Sequence, residues 1–412
     1  MRPASWRIPL SPSSSADDQV AHPSGRQQAT GRGTGAGRAT LADWLSPDHI
    51  GWSVRHVREL IPTERIRAAR QPRALLERVD ESLLDLVVEA HDGPVELHDL
   101  LHDRERDALV VLHRGEVVLE WLAPGVRTDE QHLVFSLTKS VTGLLAGALA
   151  TRGLLDLEAI VGDLVPDLGD SAFGTATVRQ LLDMQASFAF VEDYSPGPDV
   201  TAYRNAAGWY PAPPDSTALR GFLATREPDG PHGERFRYLS PTIDVLGWVC
   251  ARAAGTTWAE AVERHLWQPC GAELGASVTL DREGTPRAAG GLSALPRDLA
   301  RLGLLVAERR TDVIDADFLD DLLHAGDRER WARGDFASLF PEGAYRSCWY
   351  APNLDPDVVL GIGIHGQMLY VDIPREIVVV VLSSFSLPDD DQWHLDNHAI
   401  CRTLAHHLAV PT

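Results

Sequence analysis

The sequence predicts an α+β fold in which both ends of the chain contribute strands to one antiparallel sheet. Ala108–Trp121 has the pattern of a β-hairpin, with Arg114-Gly115 as the turn between two apolar runs. Three more short strands are expected near the other end of the chain, at Val358–Ile364, Gln367–Asp372 and Glu376–Ser384. The sequence between these groups is mostly typical of helices and loops, so we expect helices to flank the sheet and to form an inserted region.

The 412 residues are expected to divide into a tail and one folded domain. Residues 1–40 are a loose mixture of Arg, Ser, Gly, Thr and Gln, and we predict that they are disordered. Residues 41–410 are predicted to fold, with a sheet subdomain at about 41–135 and 346–410 and a mostly helical subdomain at about 154–345.

The helices are predicted from apolar spacing and from their end signals. They are expected at Leu75–Val88, Leu137–Thr151, Val178–Met184, Pro241–Ala254, within Leu292–Arg309, and at Gln392–Leu408. Between two of them, Ser187–Pro214 is rich in Gly, Pro and aromatic residues and is predicted to be a long loop. Loops of this length are more often functional than idle.

Composition excludes several function classes. A net charge of −21 argues against nucleic acid and against an anionic membrane surface, and no apolar run reaches the ~18 residues of a membrane span. The four cysteines are far apart in the sequence, which favours buried free thiols and is compatible with a reducing compartment. The histidines show no metal-ligand spacing. We therefore expect no metal and no cofactor, and a cytoplasmic location is the default.

One residue type is reduced to a single copy. Lys139 is the only lysine among 38 Lys and Arg residues. Arginine stays charged at any useful pH, whereas burial and neighbouring cations can make a lysine amine neutral and able to accept a proton. Ser136 lies three residues earlier, one helical turn away, at the start of the predicted helix Leu137–Thr151. The pair therefore has the form of a nucleophile with a base beside it.

Three stretches occur in an order that is known from one superfamily. They are Ser136-Leu-Thr-Lys139, then Tyr238-Leu-Ser240 directly before a helix, then His365-Gly366-Gln367 in a turn between two strands. This order resembles the serine β-lactamases and penicillin-binding proteins. Leu181–Met184, Glu192-Asp193-Tyr194, Ala206–Trp209 and Gly363–Gln367 narrow the resemblance to the 6-aminohexanoate-dimer hydrolase group of the class C-like branch.

The resemblance covers about residues 41–410 and implies a β-lactamase/transpeptidase-like α/β/α sandwich with a helical domain. It implies acyl transfer through Ser136, activated by Lys139 and Tyr238. The backbone N–H of Ser136 would be one oxyanion donor, and the second would be a backbone N–H near Gln367, entered through Gly366. Tyr194 and Trp209, with Ser240 and His365, are implied as substrate-binding residues.

Chemistry sets a requirement on Lys139. To act as a base, its pKa must fall by about three units from ~10.4, which corresponds to roughly 4 kcal/mol acting against the charged amine. Burial is one source of such a shift, and Tyr238 can relay the proton to the leaving group. Sequence alone leaves open which of the two is the ground-state base.

The substrate is expected to be a small amide or ester. Most β-lactamases carry Lys-Thr-Gly where this chain has Ile364-His365-Gly366, so the cation that holds a β-lactam carboxylate is absent and efficient β-lactam hydrolysis is not expected. Two alternatives remain. One is a carboxylesterase for short acyl esters, because an aromatic pocket without an evident anion clamp suits it, and the other is a catalytically silent binding protein with the same fold. A homodimer is also left open.

Overall fold

The computed structural model describes residues 39–103, 105–193 and 197–410. Residues 1–38 of the predicted tail therefore lie outside the described part. The strands in chain order are β1 Thr63–Ile66, β2 Leu76–Glu77, β3 Val87–Ala90, β4 Gly93–Glu96, β5 Arg106–His113, β6 Glu116–Leu122, β7 His132–Leu133, β8 Ala276–Thr279, β9 Leu292–Ala294, β10 Ala344–Arg346, β11 Trp349–Ala351, β12 Val358–Gly363, β13 Gln367–Asp372 and β14 Ile377–Ser383.

The α-helices are α1 Ile50–His56, α2 Leu97–Asp103, α3 Leu137–Thr151, α4 Val161–Leu164, α5 Val178–Leu182, α6 Pro198–Ala206, α7 Leu219–Ala224, α8 Pro241–Ala254, α9 Trp258–Val262, α10 Gln268–Cys270, α11 Pro296–Ala307, α12 Ala316–His324, α13 Arg328–Ala332 and α14 Asp391–Leu408. Short 3₁₀ helices span Val57–Glu59, Glu81–Asp85 and Pro166–Leu168, and a π-helical segment spans Glu263–Trp267.

The largest sheet joins the two ends of the chain, as predicted. Its eight strands lie in the order β10-β11-β12-β13-β14-β5-β6-β2. The last strand of the C-terminal meander, β14, thus pairs with β5 of the early hairpin, antiparallel from Ile377 opposite His113 onwards. The only parallel pair described in this sheet is that of the two-residue strand β2 with β6.

Helices cover both faces of this sheet. Gly303 of α11 lies against Val378 and Leu369, since a Cβ on this glycine would be 2.6 Å and 3.2 Å from their side chains. On the other face, the Sγ of Cys401 in α14 is 3.8 Å from the Sδ of Met368. Leu369 and Met368 are neighbours on β13, and neighbouring strand residues point to opposite faces. The architecture is therefore an α/β/α sandwich, which confirms the predicted fold class.

A smaller antiparallel sheet, in the order β1-β8-β9-β7, links the sandwich to the segment before α3. Its strand β7 leads directly into Val134, whose N–H donates to the carbonyl of Leu292 at 2.9 Å. This sheet, which sequence analysis did not predict, fixes the entry to the helix that carries Ser136 and Lys139.

Two segment predictions were wrong. Leu75–Val88 is not one helix, because β2, a 3₁₀ helix and the start of β3 replace it. Its backbone pairs with β6 instead, where Arg78 N–H donates to the Val117 carbonyl at 2.8 Å. Tertiary pairing overrides helical spacing here. Ser187–Pro214 is not a continuous loop, since α6 begins at Pro198, a residue well suited to the first helical position.

The four cysteines are buried free thiols, as predicted. Across the described ranges, no helix is both long and apolar enough to cross a membrane.

Candidate active site

Ser136 lies at the N-terminal end of α3, and the backbone just before it is unusual. Phe135 has φ of +44°, in a left-handed region that an aromatic residue rarely adopts. Its buried ring is held between Trp209 and His365, with ring centroids 6.0 Å and 5.0 Å away. Strained residues of this kind persist when surrounding packing determines them, and they occur often at functional sites.

Lys139 contacts the hydroxyl of Ser136 directly. Its Nζ donates to Ser136 Oγ at 2.8 Å and to the Ala289 carbonyl at 2.8 Å. The side chain is 2% exposed. Burial, aided by the positive charge of Arg287, lowers its pKa from 10.5 to about 8, while Glu192 and Asp244 oppose that shift. The contact and the lowered pKa place Lys139 Nζ where a neutral amine can accept the proton of Ser136 Oγ.

A buried network holds the segment that anchors Lys139. The backbone N–H of Ala289 donates to Asp244 Oδ1 at 2.8 Å, and the hydroxyl of Tyr203 donates to Asp244 Oδ2. Asp244 belongs to the first turn of α8, and burial raises the pKa of its carboxyl group. The network connects α6, α8 and the loop before β9 around the amine.

Ser240 lines the cavity, and its polar groups bind another residue of the chain, so its predicted contact with substrate stays a prediction. Its N–H and hydroxyl both donate to the Glu192 carboxylate, at 2.8 Å and 2.5 Å. Glu192 also lines the cavity. The pair fixes the N-terminal end of α8 to the segment that leads to Tyr194.

Tyr238 lies next to the amine rather than in the cavity wall. The ring centroid is 5.0 Å from Lys139 Nζ, and the residue is 6% exposed. Its position is fixed by its own N–H, which donates to Asp335 Oδ2 at 2.7 Å, and by the ring of Phe336 at 4.9 Å. Tyr238, which is distant in sequence from Ser136 and Lys139, is therefore brought beside this pair.

The cavity at Ser136 is lined by residues from several elements. Its wall consists of Leu45, Phe135, Ser136, Lys139, Glu192, Val200, Tyr203, Arg204, Trp209, Ser240, Arg287, Ala289, Gly290 and Ile364. Trp209 is in this wall, as the sequence predicted, and its indole N–H donates to Thr279 Oγ1 at 3.0 Å. Tyr194 lies outside the described residues, so its predicted contact with substrate stays a prediction.

Two arginines in this wall were missed by sequence analysis. Arg287 lies over the rings of Tyr203 and Trp209, with its Cζ 4.5 Å and 4.2 Å from their centroids. Arg204 stacks on Tyr210 and donates to its hydroxyl at 2.6 Å. The sequence predicts a pocket without an evident cation, and that prediction is wrong because both arginines line the cavity.

The turn after β12 and the first residue of β13 comprise His365, Gly366 and Gln367, which were expected to supply an oxyanion donor and a contact with substrate. Gln367 is fully buried and its side-chain amide binds backbone groups, including the Ser383 carbonyl at 2.7 Å. His365 is also buried, its Nδ1 lies 2.6 Å from the Phe385 carbonyl, and burial lowers its pKa to about 4. A Cβ on Gly366 would be 2.4 Å from the Phe385 ring. The ring of Phe385 thus occupies the space beside this glycine, and the cavity wall includes none of the three residues. Their predicted roles toward substrate stay predictions.

Ile364 is the member of this turn that lines the cavity. Just before it, Gly363 packs so closely that a Cβ would be 2.5 Å from the carbonyl oxygen of Val134, two residues before Ser136. Within the described part of the chain, neither Ser136 nor Ile364 uses its backbone N–H in a hydrogen bond to another residue. Both N–H groups are therefore available to a ligand.

Comparison with known proteins supports both the fold described above and the family that the sequence motifs indicate. The sequence model of the Beta-lactamase family matches residues 97–399. The chain belongs to the β-lactamase family. A 6-aminohexanoate-dimer hydrolase from Paenarthrobacter ureafaciens is 34% identical over 382 residues, which are 91% of this chain and 95% of that protein. Family and relative together support a serine hydrolase.

Solved structures of other proteins share the fold of this member of the β-lactamase family. A structure from Bacillus anthracis that is named as a 6-aminohexanoate-dimer hydrolase superposes with a TM-score of 0.81 and 26% identity, covering 90% of this chain and 97% of that one. A family VIII carboxylesterase shares the fold, with a TM-score of 0.53 and 14% identity over 72% of this chain and 93% of that chain. The predicted resemblance is confirmed.

Proposed function

We propose that this β-lactamase-family enzyme hydrolyses a small amide or ester through an acyl-enzyme on Ser136, as a relative of the 6-aminohexanoate-dimer hydrolases. The observation that carries the proposal is the 2.8 Å contact between Lys139 Nζ and Ser136 Oγ, made by a buried amine with a pKa of about 8. A serine hydroxyl is a weak nucleophile and needs a base at this distance.

In the acylation step, Ser136 Oγ attacks the substrate carbonyl carbon and its proton passes to neutral Lys139. Before this transfer the hydroxyl of Ser136 donates to neutral Nζ, which is the reverse of the hydrogen bond from Nζ to Oγ that the protonated amine makes. Collapse of the tetrahedral intermediate breaks the C–N or C–O bond. The leaving group takes a proton from Tyr238, which regains one from the Lys139 ammonium 5.0 Å from its ring.

In the deacylation step, water attacks the ester carbonyl of the acyl-enzyme. One water proton goes back through the same Lys139 and Tyr238 pair, the Ser136 Oγ–C bond breaks, and Oγ recovers its proton. The product is a carboxylic acid. Acylation and deacylation thus exchange protons with the same two groups, so one lysine with a lowered pKa can serve as the base in both steps.

The oxyanion of both intermediates needs two donors. The unengaged N–H groups of Ser136 and Ile364 support this role, because both residues line the cavity. Ile364 therefore replaces Gln367 as our candidate for the second donor. The close packing of Gly363 on Val134 holds the two segments together.

The proposal is tested by two measurements on the wild-type enzyme. A fluorophosphonate probe should label Ser136, found by peptide mapping, and a p-nitrophenyl ester should give a pre-steady-state burst equal to the enzyme concentration. A well-folded sample that gives neither label nor burst would favour the silent binding protein. Cleavage of short acyl esters without cleavage of a linear aminohexanoate dimer would favour the carboxylesterase.

A further inference from the structure

Arg287 is a buried cation in the cavity wall that forms no ion pair with any described residue. The residue is 7% exposed. Its Nε and Nη1 are buried and make no hydrogen bond, and among the described residues no carboxylate lies within ion-pair distance of its guanidinium. Burying such a group without a partner costs free energy, because the water it loses is not replaced.

A second buried arginine shows the usual arrangement. Arg301 is 2% exposed, and it donates to Asp298 at 2.8 Å and to Glu273 at 2.7 Å. A buried guanidinium in this fold can therefore be fully paired by the chain itself. Arg287 lacks such a pairing at the place where its side chain lines the cavity.

The acids nearest the cavity are already engaged. Glu192 accepts both polar groups of Ser240, and Asp244 accepts from Tyr203 and Ala289. Neither is free to turn to the guanidinium without losing these bonds. The guanidinium N–H groups that lack a partner are therefore left for a ligand that accepts hydrogen bonds.

The position of the guanidinium is fixed before a ligand arrives. It lies between two aromatic rings, Tyr203 at 4.5 Å and Trp209 at 4.2 Å, which orient the side chain by cation–π contact. A planar guanidinium held in place loses little side-chain entropy when it binds a carboxylate. Arg204 adds a second positive charge to the same wall.

We propose that Arg287 binds a carboxylate group of the substrate, so that the enzyme prefers small amides or esters that carry a carboxylate. The inference rests on the proposed function for the bond that is cleaved, and adds the chemical class of the substrate. A substrate whose charged end in this part of the cavity is an ammonium group is disfavoured, because it would face Arg287 and Arg204.

Two matched pairs of esters test the inference and show which half of the substrate carries the charge. Mono-p-nitrophenyl adipate and p-nitrophenyl hexanoate differ by a carboxylate on the acyl chain. 4-(Hexanoyloxy)benzoate and 4-(hexanoyloxy)benzamide differ by a carboxylate on the leaving group. The wild-type enzyme should show a higher kcat/KM for the anionic member of at least one pair, by about tenfold or more.

Variants assign the preference to the guanidinium. Arg287→Gln should lower the anionic-to-neutral ratio of kcat/KM by about 10- to 100-fold, and Arg287→Lys should restore part of it. Arg226→Gln is the matched control, because Arg226 also stacks on an aromatic ring, Phe222 at 4.0 Å, but lies outside the cavity wall. A ratio at or below one in both pairs, or an unchanged ratio in Arg287→Gln, would overturn the inference.

Binding to Ser136→Ala separates this inference from the proposed function, and it does not require Arg287 variants to fold. Calorimetry should show tighter binding of hexanoate than of hexanamide. If none of the four esters is turned over but this difference is present, the proposed function fails and the anion site stands. If the esters are turned over and hexanoate binds no better than hexanamide, the anion site fails and the hydrolase stands.

Discussion

Replacing Lys139 by arginine separates a neutral amine from a fixed positive charge. The fall of the Lys139 pKa from 10.5 to about 8 corresponds to roughly 3 kcal/mol acting against the charged amine. Arginine cannot respond to this by losing its proton. We therefore expect Lys139→Arg to lose general-base catalysis, and kcat/KM should fall by about 10²- to 10⁴-fold.

The assay is the initial rate of p-nitrophenyl ester hydrolysis between pH 6 and pH 9.5, with circular dichroism to show that the variant is folded. Arg152→Lys is the matched control, because it makes the opposite exchange at the other end of the same helix and should leave the rate unchanged. A folded Lys139→Arg enzyme that keeps more than a tenth of the wild-type kcat/KM would refute the neutral-amine mechanism.

The pH profile, Tyr238 and Gly363 each give a further measurable effect. Because the proposed mechanism uses neutral Lys139, wild-type kcat/KM should rise about tenfold per pH unit below pH 8 and level off above it; a profile flat from pH 6 to pH 9 would contradict this. Tyr238→Phe should lower kcat by about 10²-fold or more by removing the proton relay, with an unchanged melting temperature; near-normal kcat on an amide substrate would exclude Tyr238 from the relay. Gly363→Ala should lower the free energy of unfolding in urea by about 1–3 kcal/mol, because its Cβ would be 2.5 Å from the Val134 carbonyl oxygen. Gly51→Ala, whose nearest contact would be 3.5 Å, is the control and should cause no such loss.

Most of the sheet and the long helices could be predicted from the sequence. In the meander Val358–Ser384, short apolar strands are separated by clear turn residues. The helix α8 has strong local signals at both ends, with Pro241 at its start and Gly255 just after its end. Leu75–Val88 could not be predicted, because its helical spacing is local whereas its pairing with β6 depends on distant residues. The helix α6 was not predicted because the Gly and Pro residues before it are typical of a loop.

The groups proposed to react could be predicted from the sequence, together with Trp209 and Ser240 of the cavity wall, whereas other residues around them could not. Ser136, Lys139 and Tyr238 belong to motifs with a fixed order. Asp244 and Arg287 lie in no motif, and only the fold brings Arg287 beside Trp209 and Asp244 beside Ala289. Ile364 was overlooked because the sequence cannot show which residue of a hairpin turn faces the cavity.

Lys139 is expected to titrate far below an ordinary lysine, and the composition of this protein permits a direct measurement. Because Lys139 is the only lysine, untagged protein grown with lysine labelled with ¹³C at Cε has one lysine side chain to observe by NMR. Its chemical shift, followed from pH 6 to pH 11, should titrate with a midpoint of about 8. A midpoint near 10.5, in folded enzyme that reacts with the fluorophosphonate, would contradict the claim that a neutral Lys139 activates Ser136.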